Sequence, residues 1–216
     1  MKTHLGRRLR DIFDLIESGY SEVWDTCCDH GLLGLAVIEE NKSEKVHFVD
    51  QVPRIISSLK RKIKSLAVIP EASFELHVLN AEKIKVSNEK SLICICGVGG
   101  DVAIGIISEL LNRNDLSQCD ILISAQYHMF DLRKFLRDHG FLLKAEKLSF
   151  ERSKGYELLL VSLSNGEDID PIGSKLFDSK NSESFKYFRA LASHYKRKSL
   201  GDDMYLETLK LYEDLV

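Results

Sequence analysis

Residues 23–34 have the sequence VWDTCCDHGLLG, and this stretch decides the fold. An apolar, β-branched run leads into an aspartate, a short polar loop follows, and an apolar helical pattern begins after the first glycine. A strand, a loop and a helix in this order start a β-α-β unit. The loop holds two adjacent cysteines and an Asp-His pair, so it suits a metal site, a reactive cysteine or a cofactor-binding loop.

The same alternation of strand and helix patterns continues along the chain. Five strands are predicted at 20–25, 46–50, 74–79, 91–96 and 120–125, with helices at 31–41, 53–67, 101–113 and 130–140. Two further strands follow at 141–151 and 155–163, joined by a turn of three or four residues. Alternation that ends in a hairpin predicts an α/β fold, a doubly wound, mostly parallel, seven-stranded sheet with an antiparallel strand at one side.

The pattern changes after about residue 165. A loop-like stretch is followed by helical segments at 184–200 and 203–216, which predict an antiparallel helical hairpin. We therefore expect a sheet domain at 1–165 and a C-terminal helical hairpin at 166–216.

Composition predicts a soluble cytoplasmic protein. The 216 residues contain no apolar run near the ~20 residues of a membrane span, and the basic N-terminus lacks the apolar segment of a secretory signal. Five cysteines without a disulfide-framework spacing suit reduced thiols. We expect no membrane partner and a monomeric protein.

The net charge of −3 conceals a segregation of charge. Residues 1–10, 51–70 and 185–198 are rich in lysine and arginine and contain no acidic residue. Local basic surface on an acidic body can hold a polyanion, although each run alone also fits a solvated helix face.

Polar residues and glycines follow the predicted strands, where a doubly wound sheet binds ligands. Asp25, Asp50 and Asn80 end the first three strands, and 97–100 (GVGG) follows the fourth. Asp50 suits both hydroxyls of a ribose, and the glycines permit close approach of a ligand to the main chain. No P-loop occurs, and the first loop lacks the glycines of a pyrophosphate loop. These features favour S-adenosylmethionine, whose ammonium group Asp25 would meet.

The chain resembles the TrmK family of bacterial tRNA (adenine-22-N1) methyltransferases over essentially its whole length. The resemblance rests on RRLRDIFDLIESG at 7–19, the Asp-His loop, Val-Asp at 49–50, the GVGG run, Asp-Leu-Arg at 131–133, Gly-Tyr-Glu at 155–157 and IGSKL at 172–176. It implies a class I, Rossmann-like methyltransferase fold, S-adenosylmethionine as the methyl donor and tRNA as partner. Residues 1–165 would bind the cofactor, and 166–216 would contact tRNA.

The predicted cofactor-binding residues lie after the first four strands. They are Asp25, Cys27, Gly31, Asp50, Gln51, Asn80, Ala81, Gly97, Val98, Gly99 and Gly100. Four departures from the family pattern are visible: cysteine replaces glycine at 27, glycine replaces proline at 34, Asn80-Ala81 replaces a glycine-rich stretch, and 124–126 (SAQ) replaces Gln-Pro-Asn. These departures indicate a divergent branch of the family.

Asp29 and His30 are the predicted catalytic residues. Asp29 would favour the positive charge that moves onto the adenine, and His30 would orient Asp29 or the cofactor. The predicted substrate-binding residues are aromatic or basic: Arg7, Arg8, Tyr127, His128, Lys196, Arg197 and Lys198. A methyltransferase acting on another RNA or a small molecule, and a catalytically weak cofactor-binding protein of the same fold, remain as alternatives.

No metal site is predicted. Cys27 and Cys28 are adjacent, so their side chains point apart, whereas zinc ligands prefer a spacer of two to four residues. Cys94 and Cys96 are predicted to lie in the core, and His47 and His77 are predicted to be structural residues of strands.

Overall fold

The computed structural model describes residues 3–66 and 69–216 and contains one seven-stranded sheet. Its strands are β1 (Tyr20–Thr26), β2 (Ser43–Asp50), β3 (Phe74–Val78), β4 (Ser91–Cys96), β5 (Cys119–Ser124), β6 (Leu142–Glu151) and β7 (Lys154–Ser162). The spatial order is β3-β2-β1-β4-β5-β7-β6, and β7 runs antiparallel to the other six strands. The doubly wound sheet that the sequence predicts is confirmed.

Seven α-helices surround and extend the sheet within the described residues. They are α1 (Arg7–Asp14), α2 (Leu32–Glu39), α3 (Pro53–Ser65), α4 (Gly100–Arg113), α5 (Met129–Asp138), α6 (Ser182–Ser199) and α7 (Leu206–Glu213). The apolar residues of α1, α2 and α3 pack on one face of the sheet, and those of α4 and α5 pack on the other. The predicted end of α3 at residue 67 and the basic Lys2 lie outside the described residues.

The hairpin between β6 and β7 is tighter than predicted. Only Arg152 and Ser153 separate the strands, with φ values of 50° and 64°. Two left-handed residues are typical of a type I′ turn, whose twist matches that of the flanking strands. The predicted turn of three or four residues was too long because Arg-Ser lacks the Asn-Gly signature of this turn.

The C-terminal helices form a third apolar cluster. Asn181 caps α6 by accepting hydrogen bonds from the amides of Glu183 and Ser184. Phe188 and Tyr195 on α6 pack with Tyr212 on α7. The two predicted C-terminal helical segments are therefore present and pack against each other.

A buried ion network joins these helices to the sheet. Arg133 on α5 donates from Nη1 to the carbonyl of Asp170 at 3.1 Å and from Nε to Glu157 on β7 at 2.7 Å. Tyr187 on α6 donates to the other oxygen of Glu157 at 2.8 Å. One network thus spans the predicted domain boundary near residue 165.

No helix among residues 3–66 and 69–216 combines the length and the apolarity that a bilayer crossing needs.

Candidate functional site

The loop after β1 has an unusual backbone. Cys27, Asp29 and Gly31 have φ values of 54°, 47° and 63°, so three alternate residues are left-handed. The amide of Cys28 donates to the carbonyl of Val49 at 3.1 Å, which fastens the loop to the end of β2. A side chain at a left-handed position is strained. Glycine is the residue that the family pattern has where Cys27 stands.

Asp25 is a buried carboxylate between the strand and α2. It is 4% exposed, and its Oδ2 accepts a hydrogen bond from the amide of Gly34 at 3.0 Å. Burial raises the pKa of Asp25 to about 7. A Cβ atom on Gly34 would lie 2.3 Å from Cε1 of Phe48, so this position accepts only glycine without rearrangement. Proline, the family residue at this position, would also lack the donating N–H.

Asp50 ends β2 beside the same loop. Its Oδ1 accepts from the amide of Val52 at 2.9 Å, and its Oδ2 lies 3.4 Å from the amide of Asp29. These backbone contacts hold the carboxylate at the carboxyl edge of the sheet. Gln51, the next residue, is exposed.

A cavity of about 290 Å³ opens at this edge. Its walls come from α1, the loop after β1, the start of α2, the end of β4 and the loop after β5: Arg8, Leu9, Asp25, Thr26, Cys27, Cys28, Asp29, His30, Leu32, Leu33, Cys96, Gly97 and Gln126. The predicted residues Asp25, Cys27, Asp29, His30 and Gly97 are thus brought together. Arg8, predicted to bind substrate, lies in the same wall.

The guanidinium of Arg8 has unmet donors. Among the described residues, its Nε and Nη1 are buried and have no hydrogen-bond partner. The Nε atom lies 3.9 Å from Oε2 of Glu151, and the guanidinium lies 4.6 Å from the ring centroid of Tyr156. Buried, unsatisfied donors are costly, so this wall of the cavity suits an anionic group of a ligand.

The glycines after β4 divide into two kinds. Gly97 has a φ of 83°, lines the cavity, and has open space where a Cβ atom would project. Gly100 instead packs against the loop after β5, because its Cβ would lie 2.6 Å from the carbonyl oxygen of Tyr127. The amide of Gly100 donates to that carbonyl at 2.9 Å, and the amide of Gln126 donates to Val98 at 3.0 Å. Close packing of two loops thus requires glycine at position 100.

Five of the predicted cofactor residues before β4 lie outside the cavity wall, as do Val98, Gly99 and Gly100 after it: they are Gly31, Asp50, Gln51, Asn80 and Ala81. Asn80 donates from Nδ2 to Glu82 at 3.0 Å, and Ala81 is buried in a short 3₁₀ helix. Gly31 packs closely on α3, where its Cβ would lie 2.8 Å from Leu59. Gln51 points to solvent at the end of β2.

Asp29 and His30 are exposed beside the cavity. Their side chains are 69% and 80% exposed, and His30 Nε2 lies 3.6 Å from Asp29 Oδ2. They also line a second cavity of about 400 Å³ against α3, whose wall carries Arg54, Arg61 and Lys62. The basic run of α3 therefore lies next to the predicted catalytic pair.

The predicted substrate-binding aromatics lie on the loop after β5. Tyr127 is 58% exposed and lies beside Gly99, whose Cβ would approach its ring at 2.8 Å. His128 has a left-handed φ of 61°, and its Nδ1 lies 3.5 Å from Oδ2 of Asp131. Phe130, two residues on, contacts the ring of Tyr195 on α6 at 5.9 Å between centroids.

The basic end of α6 lies near this loop. Lys196 and Arg197 are exposed, and Lys198 lies over the ring of Tyr205 at 4.5 Å. The three basic residues directly follow Tyr195, whose ring contacts Phe130 on α5. Arg7 is exposed at the start of α1.

The cysteines of the site carry protonated thiols at neutral pH. Burial raises the pKa of Cys27 to about 11 and that of Cys96 to about 12, and burial also raises the pKa of Cys28. A reactive cysteine needs a lowered pKa, so these environments do not suit a nucleophile. Cys94 is fully buried, as predicted, whereas Cys96 lines the cavity.

A larger cavity of about 1050 Å³ lies at the other end of the sheet, around Tyr20 and Lys42. Ligands in doubly wound sheets bind outside the carboxyl ends of the strands, so this cavity does not share the site described above.

Sequence reasoning missed Gln126 and the cavity role of Cys96. Gln126 Nε2 donates to the carbonyl of Gly97 at 3.2 Å and so closes the cavity between two loops. The available signal was positional, since both residues stand at the carboxyl end of a predicted strand.

Comparisons with known proteins agree with this arrangement. A sequence model of the family described as "Methyltransferase domain" matches residues 5–159. No curated protein matches the sequence. The structure of M. capricolum TrmK in complex with S-adenosyl-homocysteine has a TM-score of 0.78 and 17% identity, with 98% of this chain and 96% of that chain covered.

Two other solved structures show how much of the chain is shared with other methyltransferases. The B. subtilis M1A22 tRNA methyltransferase TrmK has a TM-score of 0.78 and 17% identity, with 99% of this chain and 96% of that chain covered. The magnesium protoporphyrin IX methyltransferase of Synechocystis has a TM-score of 0.58 and 14% identity, with 73% of this chain and 80% of that chain covered.

The likeness to solved structures gives the fold, and the family match spans most of the sheet domain, from Leu5 to Leu159. The match includes the cavity, the loop after β1 and both loops that close it. The chain belongs to the methyltransferase domain family.

Proposed function

We propose that this protein transfers a methyl group from S-adenosylmethionine to N1 of adenine 22 in tRNA. The observation that carries the proposal is the extent of the structural likeness. The tRNA methyltransferase structures cover 98–99% of the chain, which includes the C-terminal helices, whereas the porphyrin methyltransferase covers 73%. The C-terminal helices thus belong to the part of the fold shared with enzymes that act on tRNA.

The cavity at the carboxyl edge suits the methionine part of the donor, and Asp50 stands beside it. The unmet donors of Arg8 would bind the carboxylate of the methionine part, and buried Asp25 would meet its ammonium group. Asp50, held by two backbone amides, has lone pairs for the ribose hydroxyls. The bound S-adenosylmethionine supplies an electrophilic methyl group on a sulfonium.

Methyl transfer to adenine N1 requires no strong acid or base from the protein. Adenine N1 carries a lone pair and attacks the methyl carbon without prior loss of a proton, so in-line positioning can supply about 7–11 kcal/mol. Asp29 stands at the mouth of the cavity and would stabilise the positive charge that develops on the adenine. His30, 3.6 Å from Asp29, acts as a positioning residue.

Surface features around the mouth support RNA as the acceptor. Tyr127 and His128 are exposed on the loop after β5 and offer rings for stacking on an adenine pulled from its helix. Basic side chains on α6 (Lys196, Arg197) and at the start of α1 (Arg7) are free to contact phosphates. Phosphate contacts would set the position of the tRNA, while the cavity would select the base.

The test is transfer of a tritiated methyl group to unmodified tRNA transcripts, followed by mapping of the labelled nucleotide. We expect label on N1 of adenine 22, no label on a transcript with guanine at position 22, and calorimetric binding of S-adenosyl-homocysteine. Asp29→Ala should retain that binding and lose most of the transfer rate. Cofactor binding without transfer to any tRNA would contradict the acceptor, and absence of cofactor binding would contradict the whole proposal.

A further inference from the structure

We propose that His47, Glu75 and His77 form a binding site for one zinc-like divalent cation at the outer edge of the sheet. His47 lies on β2, and Glu75 and His77 lie two residues apart on the edge strand β3. Alternate residues of a strand share a face, so the three side chains project to the same side. None of the three lines the cofactor cavity, so the cation site is a separate one.

The ligand atoms have the spacing of a zinc site. Nδ1 of His47 lies 3.0 Å from Nε2 of His77, and Oε2 of Glu75 lies 3.5 Å and 3.6 Å from these nitrogens. A point equidistant from the three atoms lies ~2.0 Å from each, which is the length of zinc–imidazole and zinc–carboxylate bonds. The triangle therefore has the size of one face of a zinc tetrahedron.

The fourth position of the tetrahedron is open to water. The side chains of His77 and Glu75 are 26% and 47% exposed, whereas that of His47 is 8% exposed. A His₂Glu set with an open position is a known ligand combination for zinc.

A carboxylate stands behind the buried histidine. Oε2 of Glu22 lies 3.5 Å from Nε2 of His47, the ring nitrogen that faces away from the cluster. Glu22 also accepts hydrogen bonds from the amide of Ser87 at 2.8 Å and the hydroxyl of Ser91 at 3.0 Å. Metal-binding histidines almost always donate their other N–H to such a carboxylate. Among the described residues Nε2 of His47 is buried and has no hydrogen-bond partner, so Glu22 is the nearby acceptor for the tautomer that turns the Nδ1 lone pair toward the cation.

Neighbouring groups keep the ligands oriented. The ring of Trp24 stacks on His47 with 3.9 Å between centroids and 10° between planes. Lys45 binds Oε1 of Glu75 at 2.7 Å and leaves Oε2 for the cation.

Cation binding would change the tautomer of His77 and link strand β3 to β2. Without the cation, one hydrogen lies between Nδ1 of His47 and Nε2 of His77. When the cation binds, both nitrogens become ligands, and His77 carries its ring proton on Nδ1 instead. The cation joins edge strand β3 to β2 through side chains, in addition to the main-chain pairing. Since β3 leads directly to Asn80 and Ala81, the cation would also steady the loop that follows.

The test titrates the EDTA-treated full chain with zinc chloride at pH 7.5, by calorimetry and by thermal unfolding. We expect one ion per chain and a higher melting temperature. His77→Ala should weaken binding by about 100-fold or more, and Glu75→Gln and Glu22→Gln by about 10–100-fold. His139→Ala, at an exposed histidine that ends α5 and is not part of the cluster, is the control and should bind like the wild type. Circular dichroism checks that each variant is folded.

Cobalt(II) substitution identifies the ligands. We expect the visible spectrum of a four-coordinate site without thiolate-to-cobalt charge transfer. Absence of zinc binding, equal affinity in His77→Ala and wild type, or a thiolate band that assigns the ion to the cysteines would each overturn the proposal.

Discussion

Nε of Arg133 lies 2.7 Å from Oε2 of Glu157, and neither side chain has exposed surface. Nη2 of the same arginine lies 2.6 Å from Oε2 of Glu146. A Cβ on Gly173 would lie 2.6 Å from this guanidinium. The Asp-Leu-Arg, Gly-Tyr-Glu and IGSKL motifs of the sequence thus meet at one point, where they connect α5, β7 and the approach to α6.

This cluster should carry much of the stability of the fold. Removing one partner of a buried ion pair leaves the other charge uncompensated, which costs about 3–5 kcal/mol. Arg133→Met takes the arginine from both Glu157 and Glu146, so we expect it to lower the free energy of unfolding by at least about that amount in urea denaturation. Arg113→Ala, which breaks the exposed pair with Glu109, should change it by less than about 0.5 kcal/mol. Equal effects of the two substitutions would contradict a structural role for the buried pair.

Gly34 should tolerate no side chain. In Gly34→Ala the new Cβ would lie 2.3 Å from Cε1 of the fully buried Phe48 and 3.0 Å from Oδ2 of Asp25. Overpacking of this kind costs about 1–3 kcal/mol and should also weaken S-adenosyl-homocysteine binding, because Asp25 must move. Gly105→Ala is the matched control, since its Cβ meets nothing within 4 Å and alanine favours the helix by about 0.5–1 kcal/mol. Thermal unfolding and calorimetry measure both effects.

Asp25 should make the folded state less stable as pH rises. Its pKa is about 7 in the folded state and near 3.8 in the unfolded state, because burial opposes the charge. Between these values the unfolded state loses the proton and the folded state keeps it, so stability falls as pH rises toward 7 and is level above it.

Asp25→Asn isolates this effect. Asparagine resembles the protonated acid and can still accept from the amide of Gly34. We expect equal unfolding free energies for variant and wild type near pH 4, and a variant more stable by about 3–4 kcal/mol at pH 8. A difference that does not change with pH would contradict a buried acid of raised pKa.

Local sequence signals predicted the elements better than the site. Strands such as β4 and β5 carry continuous apolar runs, and their observed ends lie within one residue of prediction. β2 begins three residues earlier than predicted because its polar start pairs with β1, Ser43 opposite Tyr20. Such pairing is a long-range contact that periodicity does not report.

The cavity wall depends even more on long-range packing. Arg8 reaches the cavity because α1 packs across the sheet, which no local pattern at the N-terminus encodes. Gly100 was predicted to admit a ligand, but its glycine is required by the carbonyls of Tyr127 and His128. A glycine pattern indicates close approach and does not identify the group that approaches.

Cys27 should be replaceable by glycine. At a φ of 54° a Cβ atom costs about 1–2 kcal/mol, and glycine avoids that strain while freeing the unfolded chain. We expect Cys27→Gly to keep stability within about 1 kcal/mol of the wild type and to keep S-adenosyl-homocysteine binding. Cys27→Val should be clearly destabilised, because a β-branched residue is least tolerated there. Loss of binding in the glycine variant would mean that the thiol itself contacts the ligand.

The basic end of α6 should carry part of the electrostatic attraction for tRNA. Lys196 and Arg197 are exposed beside Tyr195, which contacts Phe130 at the start of α5, directly after the loop that follows β5. If both bind phosphates, the double alanine variant should weaken tRNA binding and reduce the slope of log affinity against log salt by about 1.5–2. The matched control replaces Lys90 and Arg113, which lie at the amino-end side of β4 and at the end of α4, away from the cavity. Binding is measured from 50 to 300 mM salt, over which the screening length falls from about 14 Å to about 6 Å. An equal loss of slope in both variants would assign the attraction to overall charge instead of α6.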